Sequence, residues 1–266
     1  MTGPLVTCIM PTADRHQFVP RAVAQFLRQD YANRELIVLD DGAEPAGDLM
    51  PDDSRIRYVR DERRAPIGVK RNRACELARG DVIVHWDDDD WSAPWRVRYQ
   101  VEQLLAARAD ACGLDRPLFY DPAERKAWQY VYPANAAPWV YGATLCYTKA
   151  FWRRNPFPPI GVGEDSRFVW ASVSKKVLAL DDPTFFVGII HAANTSRKQT
   201  CGYRWRSYPV AAVDQLMAVS DVSDVSDVSE VSDVSEVSDV SEVSDVSEVS
   251  DTSDTFDTSD TAGEGR

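Results

Sequence analysis

Four consecutive aspartates, Asp87-Asp88-Asp89-Asp90, are the residues of this chain best suited to chemistry. They follow a short apolar run, residues 82–86, that reads as a buried strand. Carboxylates gathered at a strand end can hold a hard divalent cation, which in turn holds phosphate oxygens. A run of acids also describes a solvated turn. Four adjacent negative charges, however, repel strongly unless a cation or basic groups offset them. Lys70, Arg71 and Arg73 lie upstream, on the segment that feeds this strand. A metal together with guanidinium groups is a combination that grips a diphosphate. Asp40-Asp41-Gly42 closes another apolar run and reads either as a turn or as a ligand-facing pair. Glu164-Asp165 opens a helix-like stretch, where the helix dipole favours acids whatever else they do. His191, one of three histidines, follows an apolar run and is either a structural group or a ligand.

Those residues need elements to position them. Residues 5–10 are apolar and stop at Pro11, as a buried strand would. Pro20 opens a helical stretch over 21–28 with Val23, Phe26 and Leu27 on one face. Further strands are expected at 36–39 and 56–59, and a helix at 69–79 with Gly80 as its C-cap. A second strong helix is expected over 94–109. This alternation predicts an α/β fold with a doubly wound, mostly parallel sheet, in which ligands bind beyond the carboxyl ends of the strands. Both acid clusters fall on that edge. From about Leu118 aromatic residues crowd in, with short strands expected at 144–148, 177–180 and 185–190 and a helix at 165–172. No linker separates the two parts, so a single domain over 1–215 with halves 4–115 and 116–215 is expected.

The chain's net charge of −12 is unevenly spread. Ser220 to Arg266 carries 15 acids and one base, which leaves 27 acids and 29 bases in the first 219 residues. A near-neutral domain with an acidic end does not suit nucleic-acid binding. Residues 219–253 repeat Ser-Asp/Glu-Val with a period of three, which fits neither a helix nor a strand. Ser and Asp are poor helix formers and the repeated acids repel, so a disordered tail over 219–266 is expected. The five cysteines are odd in number, widely spaced and without a C-x-x-C pair, which suits reduced thiols. Cys8 and Cys146 sit in apolar runs, as small core residues do. No apolar leader precedes the first strand and no run of eighteen apolar residues occurs, so a cytoplasmic chain without a membrane span is expected.

Six motifs in order resemble glycosyltransferase family 2, whose members have the GT-A fold of nucleotide-diphospho-sugar transferases. They are Val6-Thr7-Cys8-Ile9-Met10-Pro11-Thr12 with Asp14-Arg15, Glu35 to Gly42, Gly68-Val69-Lys70-Arg71-Asn72, Trp86 to Asp90, Gly163-Glu164-Asp165, and His191 to Ser196. The resemblance implies a Rossmann-like GT-A sheet with a smaller acceptor-side subregion. Pro11, Thr12 and Arg15 would shape the nucleotide pocket, and Asp40, assisted by Asp41, would hydrogen-bond the base. Arg71 would approach the diphosphate. Asp87-x-Asp89 matches the family's D-x-D: Asp87 and Asp88 would meet the donor and Asp89 the metal, Mn2+ or Mg2+. Asp90 is the alternative metal ligand, and His191 would reach the metal or diphosphate. Asp165 would be the catalytic base of an inverting transfer, with Glu164 beside it. The donor implied is a nucleotide-sugar, UDP-linked by preference, and the acceptor a saccharide or other hydroxyl compound. Trp139 and Trp152 are acceptor-side candidates, although rings in such a cluster also serve as core.

The chain departs from the family pattern in places. Ala13 stands where an aromatic residue is common, and His85-Trp86 precedes the aspartates in place of Phe-Leu. Arg204-Trp205 resembles the end of the Q-x-x-R-W signature of processive synthases, but Cys201 occupies the Gln position. Two alternatives stand beside the transferase reading. A nucleotidyltransferase of the same fold would need a glycine-rich phosphate loop, and residues 11–15 contain no glycine. An interaction protein could instead work through the acidic tail, whose serines are open to phosphorylation. The oligomeric state is left open by the sequence.

Overall fold

Strands buried on both faces must be almost continuously apolar. Two such strands form the centre of the computed structural model, which describes residues 3–171 and 173–219. Val6–Thr12 (β1) is buried at all but Pro11, and Arg34–Asp40 (β2) along its whole length. They pair in parallel with Thr12 opposite Asp40, so their carboxyl ends finish level. Between them runs the helix Val19–Leu27 (α1), whose Pro20 sits in the first turn, where a missing N–H costs nothing. Ile56–Arg60 (β3) adds in parallel to β2. Val82–His85 (β4) adds in parallel to the other side of β1.

The helix Ile67–Leu77 (α2) ends earlier than its sequence suggests. Ala78 is its C-cap, in an extended conformation, and Gly80 instead donates its N–H to Thr7 Oγ1 at 2.9 Å. After β4 come Trp91–Ser92 (β5), the helix Arg96–Ala106 (α3), Ala111–Gly113 (β6), Leu118–Asp121 (β7) and Lys126–Tyr130 (β8). Cys146–Thr148 (β9), helices Lys149–Arg154 (α4) and Glu164–Trp170 (α5), Val177–Ala179 (β10), Phe186–Ile189 (β11), Trp205–Tyr208 (β12) and helix Val210–Val219 (α6) follow.

The strands make two sheets. The first has the order β10-β6-β9-β4-β1-β2-β3. Only β9 runs against its neighbours there, so the mostly parallel sheet is present as expected. The second, β12-β8-β7-β11-β5, is antiparallel except between β7 and β11. β9 and β10 come from beyond residue 115 and complete the first sheet, while β5 precedes it and edges the second. The halves expected at 4–115 and 116–215 therefore interleave. The packed fold also continues through α6, where Val213 is fully buried.

Alternate residues of β1, β2 and β4 feed two cores on opposite faces of the first sheet. Cys8, Met10, Leu36, Val38 and Val84 pack with α1 and α3, while Ile9, Ile37 and Ile83 pack with Ala74, Cys75 and Phe168. Cys8, Cys75, Cys112 and Cys146 are buried and free, and burial pushes the Cys8 and Cys75 thiols up to about 12. Arg96 is also fully buried. It donates from Nη2 to His85 O and Ala143 O (both 2.7 Å), from Nη1 to Ser92 Oγ (2.8 Å) and from Nε to Gln100 Oε1 (3.1 Å). Among the described residues no helix is long and apolar enough to cross a membrane. The tail expected to be disordered, beyond Val219, lies outside the described residues.

Candidate functional site

The carboxyl ends of β1 and β4 open into a cavity of about 900 Å³, walled opposite by the start of α5 and by β7 and β11. Trp86 fixes the end of β4: its indole N–H donates to Ala22 O at 3.0 Å and its ring meets Phe26 edge-on. Asp87 to Asp90 are thereby delivered to the cavity edge, and each meets a different environment. Asp88 Oδ2 accepts the Thr12 hydroxyl at 2.6 Å, and its Oδ1 lies 2.9 Å from Arg15 Nε. Asp89 Oδ2 takes Arg15 Nη2, with His191 Nε2 at 3.2 Å and Asn194 Nδ2 at 3.3 Å. Asp87 lies 3.7 Å from Arg71 Nη2. Asp90 Oδ1 accepts the Ile189 N–H at 2.9 Å, at the end of β11.

Burial pushes the carboxyls of Asp87, Asp88 and Asp90 above the usual range, Asp88 to about 7 and Asp90 well above it. Neighbouring aspartates add to each rise, and the arginines beside Asp87 and Asp88 oppose it. Arg15 and Arg71 thus offset part of the repulsion read from the sequence.

Lys70 and Arg71 enter from α2. Lys70 Nζ donates to Thr12 O at 2.7 Å and to Asp41 Oδ1 at 2.5 Å. Arg71 is buried between Glu164 and Asp87. Burial works against its charge, but those two carboxylates hold it firmly protonated. Its Nε has no hydrogen-bond partner among the described residues.

Asp40 requires a correction. It does not line the cavity and is 1% exposed, because the protein uses its carboxylate completely. It accepts Gly42 N–H (2.8 Å), Ala46 N–H (2.9 Å) and Tyr58 O–H (2.7 Å), with Arg60 at 3.3 Å. Asp41, its neighbour, lines the cavity instead.

On the opposite wall, Gly163 takes a left-handed conformation (φ 78°) to start α5, which sets Glu164 and Asp165 at the cavity. Asp165 packs on Gly142, where any Cβ would overlap its carboxylate. Gly142 is itself held from behind: its carbonyl accepts His85 Nδ1–H at 2.7 Å. His85 Nε2 then faces Tyr147 O–H at 3.3 Å, and Tyr147 meets Cys75 Sγ at 3.2 Å. Phe119 and Tyr141 also line the cavity, with Lys198 Nζ 5.9 Å and 5.2 Å from their ring centroids. Neither ring nor the buried His85 chain carries a sequence signal that singles it out.

Pro11, Thr12, Arg15, Arg71, Asp87, Asp88, Asp89, Asp90, Glu164 and Asp165 are all brought to one cavity. His191 stands just behind it, stacked on Phe18 at 4.6 Å. Neither Trp139 nor Trp152 lines the cavity. Trp152 is buried and donates to Asn72 Oδ1 at 2.9 Å, while Trp139 stacks on Tyr132, which Arg204 covers from 5.8 Å. Trp139 also donates to Ser166 Oγ at 3.2 Å, one residue from Asp165.

As arranged, these residues do not make a metal site. Asp89 Oδ2 is taken by Arg15, and Asp90 Oδ1 by a backbone N–H. His191 Nδ1 accepts the Ala193 N–H at 3.2 Å, and its Nε2 lies 3.2 Å from Asp89 Oδ2 and 3.1 Å from Asn194 Nδ2. Among the described residues no group of three or more His, Cys, Asp or Glu is placed to hold an ion.

Comparison with known proteins agrees with this architecture. Residues 7–159 match the family described as glycosyl transferase family 2. Over 100 residues the chain is 37% identical to the putative colanic acid biosynthesis glycosyl transferase WcaA of Escherichia coli, covering 36% of each protein. It is 31% identical over 104 residues to the E. coli UDP-Glc:alpha-D-GlcNAc-diphosphoundecaprenol beta-1,3-glucosyltransferase WfgD, covering 38% of this chain and 41% of that one. The match thus spans well under half of the length of these relatives. The fold is similar to that of the mannosyltransferase PcManGT from Pyrobaculum calidifontis in complex with GDP-Man and Mn2+, at a TM-score of 0.57 and 21% identity over 72% of this chain and 58% of that one. It is similar also to S. aureus TarS in complex with UDP-GlcNAc, at a TM-score of 0.58 and 15% identity, over 84% of this chain and 68% of that one. Both likenesses place the fold in the GT-A architecture.

Proposed function

The chain belongs to glycosyl transferase family 2, and from that membership we propose that it moves a sugar from a nucleotide-diphospho-sugar to an acceptor hydroxyl with inversion at the anomeric carbon. The proposal rests on one observation. Of the carboxylates lining the cavity, Asp165 is partly exposed and has no ion-pair partner among the described residues. Asp14 is paired with Arg64, Asp41 with Lys70, Asp87 and Glu164 with Arg71, and Asp88 and Asp89 with Arg15. Asp90 is buried, and burial favours its protonated form. Asp165 alone among them is both accessible and unpaired, as a general base must be.

In this reading the acceptor hydroxyl gives its proton to Asp165 while its oxygen bonds to the anomeric carbon. The bond from that carbon to the diphosphate oxygen breaks, and the nucleoside diphosphate leaves with the electron pair. A single displacement from the face opposite the leaving group inverts the centre. Pro11, Thr12, Asp87 and Asp88 hold the donor, and Asp41 replaces Asp40 as the carboxylate nearest the base. Arg71 bridges donor edge and opposite wall, setting the spacing between leaving group and base. The division into a donor side over 4–115 and an acceptor side over 116–215 belongs to the same proposal, with strands exchanged between them.

A UDP-sugar is the preferred donor and a saccharide the preferred acceptor; WfgD, with its UDP-Glc donor, supports that preference by analogy. Metal dependence would run through Asp89, whose Oδ2 meets Arg15 in this structure. The test is calorimetric titration with UDP and with GDP, each with and without Mn2+, alongside the Asp89→Ala variant. Metal-dependent binding that the variant loses supports the donor site; no binding of either nucleotide removes it.

A further inference from the structure

The aromatic cluster beside the cavity is joined to the proposed base. Trp139 donates its indole N–H to Ser166 Oγ at 3.2 Å, and Ser166 donates its backbone N–H to Asp165 Oδ1 at 2.6 Å. Further along the same segment, Gly142 lies against the other oxygen, Asp165 Oδ2, where any side chain would overlap it. The segment 139–142 therefore meets the first turn of α5 at both its ends. This makes the two oxygens of Asp165 unlike: Oδ1 accepts a backbone N–H, and Oδ2 has no hydrogen-bond partner among the described residues. The indole itself is packed on its face and its edge. Tyr132 stacks on it at 4.9 Å between ring centroids, and Tyr130 meets it edge-on at 5.6 Å. Arg204 spans those two tyrosines, with Cζ 5.8 Å from the Tyr132 ring and Nη1 donating to the Tyr130 hydroxyl at 3.2 Å. A ring held in this way donates in one direction.

We propose that Trp139 is a positioning residue for Asp165: through Ser166 it holds Oδ1 in place, so that Oδ2 is the atom presented to the acceptor hydroxyl. This rests on the role of Asp165 proposed above, and adds which oxygen acts and what aims it. The hydroxyl proton passes to Oδ2 as the hydroxyl oxygen bonds to the anomeric carbon. The bond to the diphosphate oxygen breaks, and its electron pair leaves with the nucleoside diphosphate. Trp139 does not line the cavity, so it acts on this step only through the direction of the carboxylate. A carboxylate without that hold would still take a proton, but from a spread of directions, which lowers the rate and leaves donor affinity alone.

The test uses water as the acceptor hydroxyl, with UDP-glucose and GDP-mannose as donors and Mn2+ supplied. Release of nucleoside diphosphate gives kcat and KM, and calorimetry with UDP and GDP gives the affinity of the donor site. The proteins are the full chain as wild type, Trp139→Phe, Ser166→Ala, the double variant and Ser166→Thr, with folding checked by circular dichroism. Trp139→Phe keeps a stacked ring and loses only the N–H donor. In it and in Ser166→Ala, kcat should fall about tenfold, inside the hundredfold that about 1 Å of misplacement can cost, with KM and nucleotide affinity unchanged. The double variant should lose no more than either single one, because both remove the same bond. Ser166→Thr keeps the hydroxyl and should stay within about twofold of wild type. Losses that multiply in the double variant, or that fall equally on kcat and nucleotide affinity, overturn the proposal, as does Ser166→Thr turning over as slowly as Ser166→Ala. An active wild type with unchanged kcat in the single variants removes the role of Trp139 alone; a wild type that binds neither nucleotide and turns over neither donor removes the transferase reading with it.

Discussion

The cavity's two sides are built on different electrostatic plans. Along the ends of β1, β2 and β4 every carboxylate is engaged. Asp41 has Lys70, Asp87 has Arg71, Asp88 and Asp89 share Arg15, and Asp90 holds a backbone N–H. On the α5 side Glu164 is paired with Arg71, but Asp165, one residue on, is not paired among the described residues. A cation beside a carboxylate stabilises its charged form and makes it a weaker base. At Asp87, Asp88 and Asp90 burial outweighs that effect and favours the protonated form, whereas Asp165 is partly exposed and unpaired among the described residues, free to take a proton.

The most severe way to break that contrast is Asp165→Asn. Transfer should fall by about 10²- to 10⁴-fold, the usual size of general-base catalysis, with nucleotide affinity nearly unchanged. Turnover assays and calorimetry on the same preparation check this; equal loss of both would remove Asp165 from the role of base. Gly142→Ala sharpens the point without touching a charge. Its new Cβ would push against the Asp165 carboxylate, and transfer should fall about ten- to a hundredfold with donor binding retained.

A smaller effect concerns the support behind Gly142. Burial, with the Arg71 charge adding to it, holds His85 neutral well below its ordinary 6.5. The unfolded chain takes up a proton near that value that the folded chain refuses, so stability is full above pH 6.5 and falls as the pH drops below it. Thermal melts between pH 8 and pH 5 should show a shallower acid loss in His85→Gln, and an identical slope would place the acid sensitivity in other groups. The smallest change expected is from removing Ser220 to Arg266: turnover should stay within about twofold, and a larger drop would give the acidic repeat a part in the reaction.

The first sheet was legible because β1, β2 and β4 are largely apolar runs, and the end of β4 delivers Asp87 to Asp90 to the cavity. The second sheet was mostly hidden. Its strands are two to five residues long, too short for alternation to show, and their aromatic residues read equally well as platform or core. Asp40 and Asp41 could not be ranked from sequence, because backbone N–H groups at Gly42 and Ala46 capture the first and leave the second at the cavity. Trp152 was misread for a related reason: an indole beside Asn72 is decided by tertiary contact, not by spacing. Gln25, Gln29 and Arg96 are polar by type yet buried, and the backbone groups that make this tolerable lie far away in sequence.

Arg96 sets a limit on how substrates come and go. Its guanidinium grips His85 O at the end of β4 in the first sheet and Ser92 Oγ in β5 of the second, with no water-exposed surface to fall back on. Prising the sheets apart would strand several donors in a dry interior, at a cost of several kcal/mol by the scale of unsatisfied buried groups. The two sheets are therefore held as a single frame, and the cavity they line does not open by parting them.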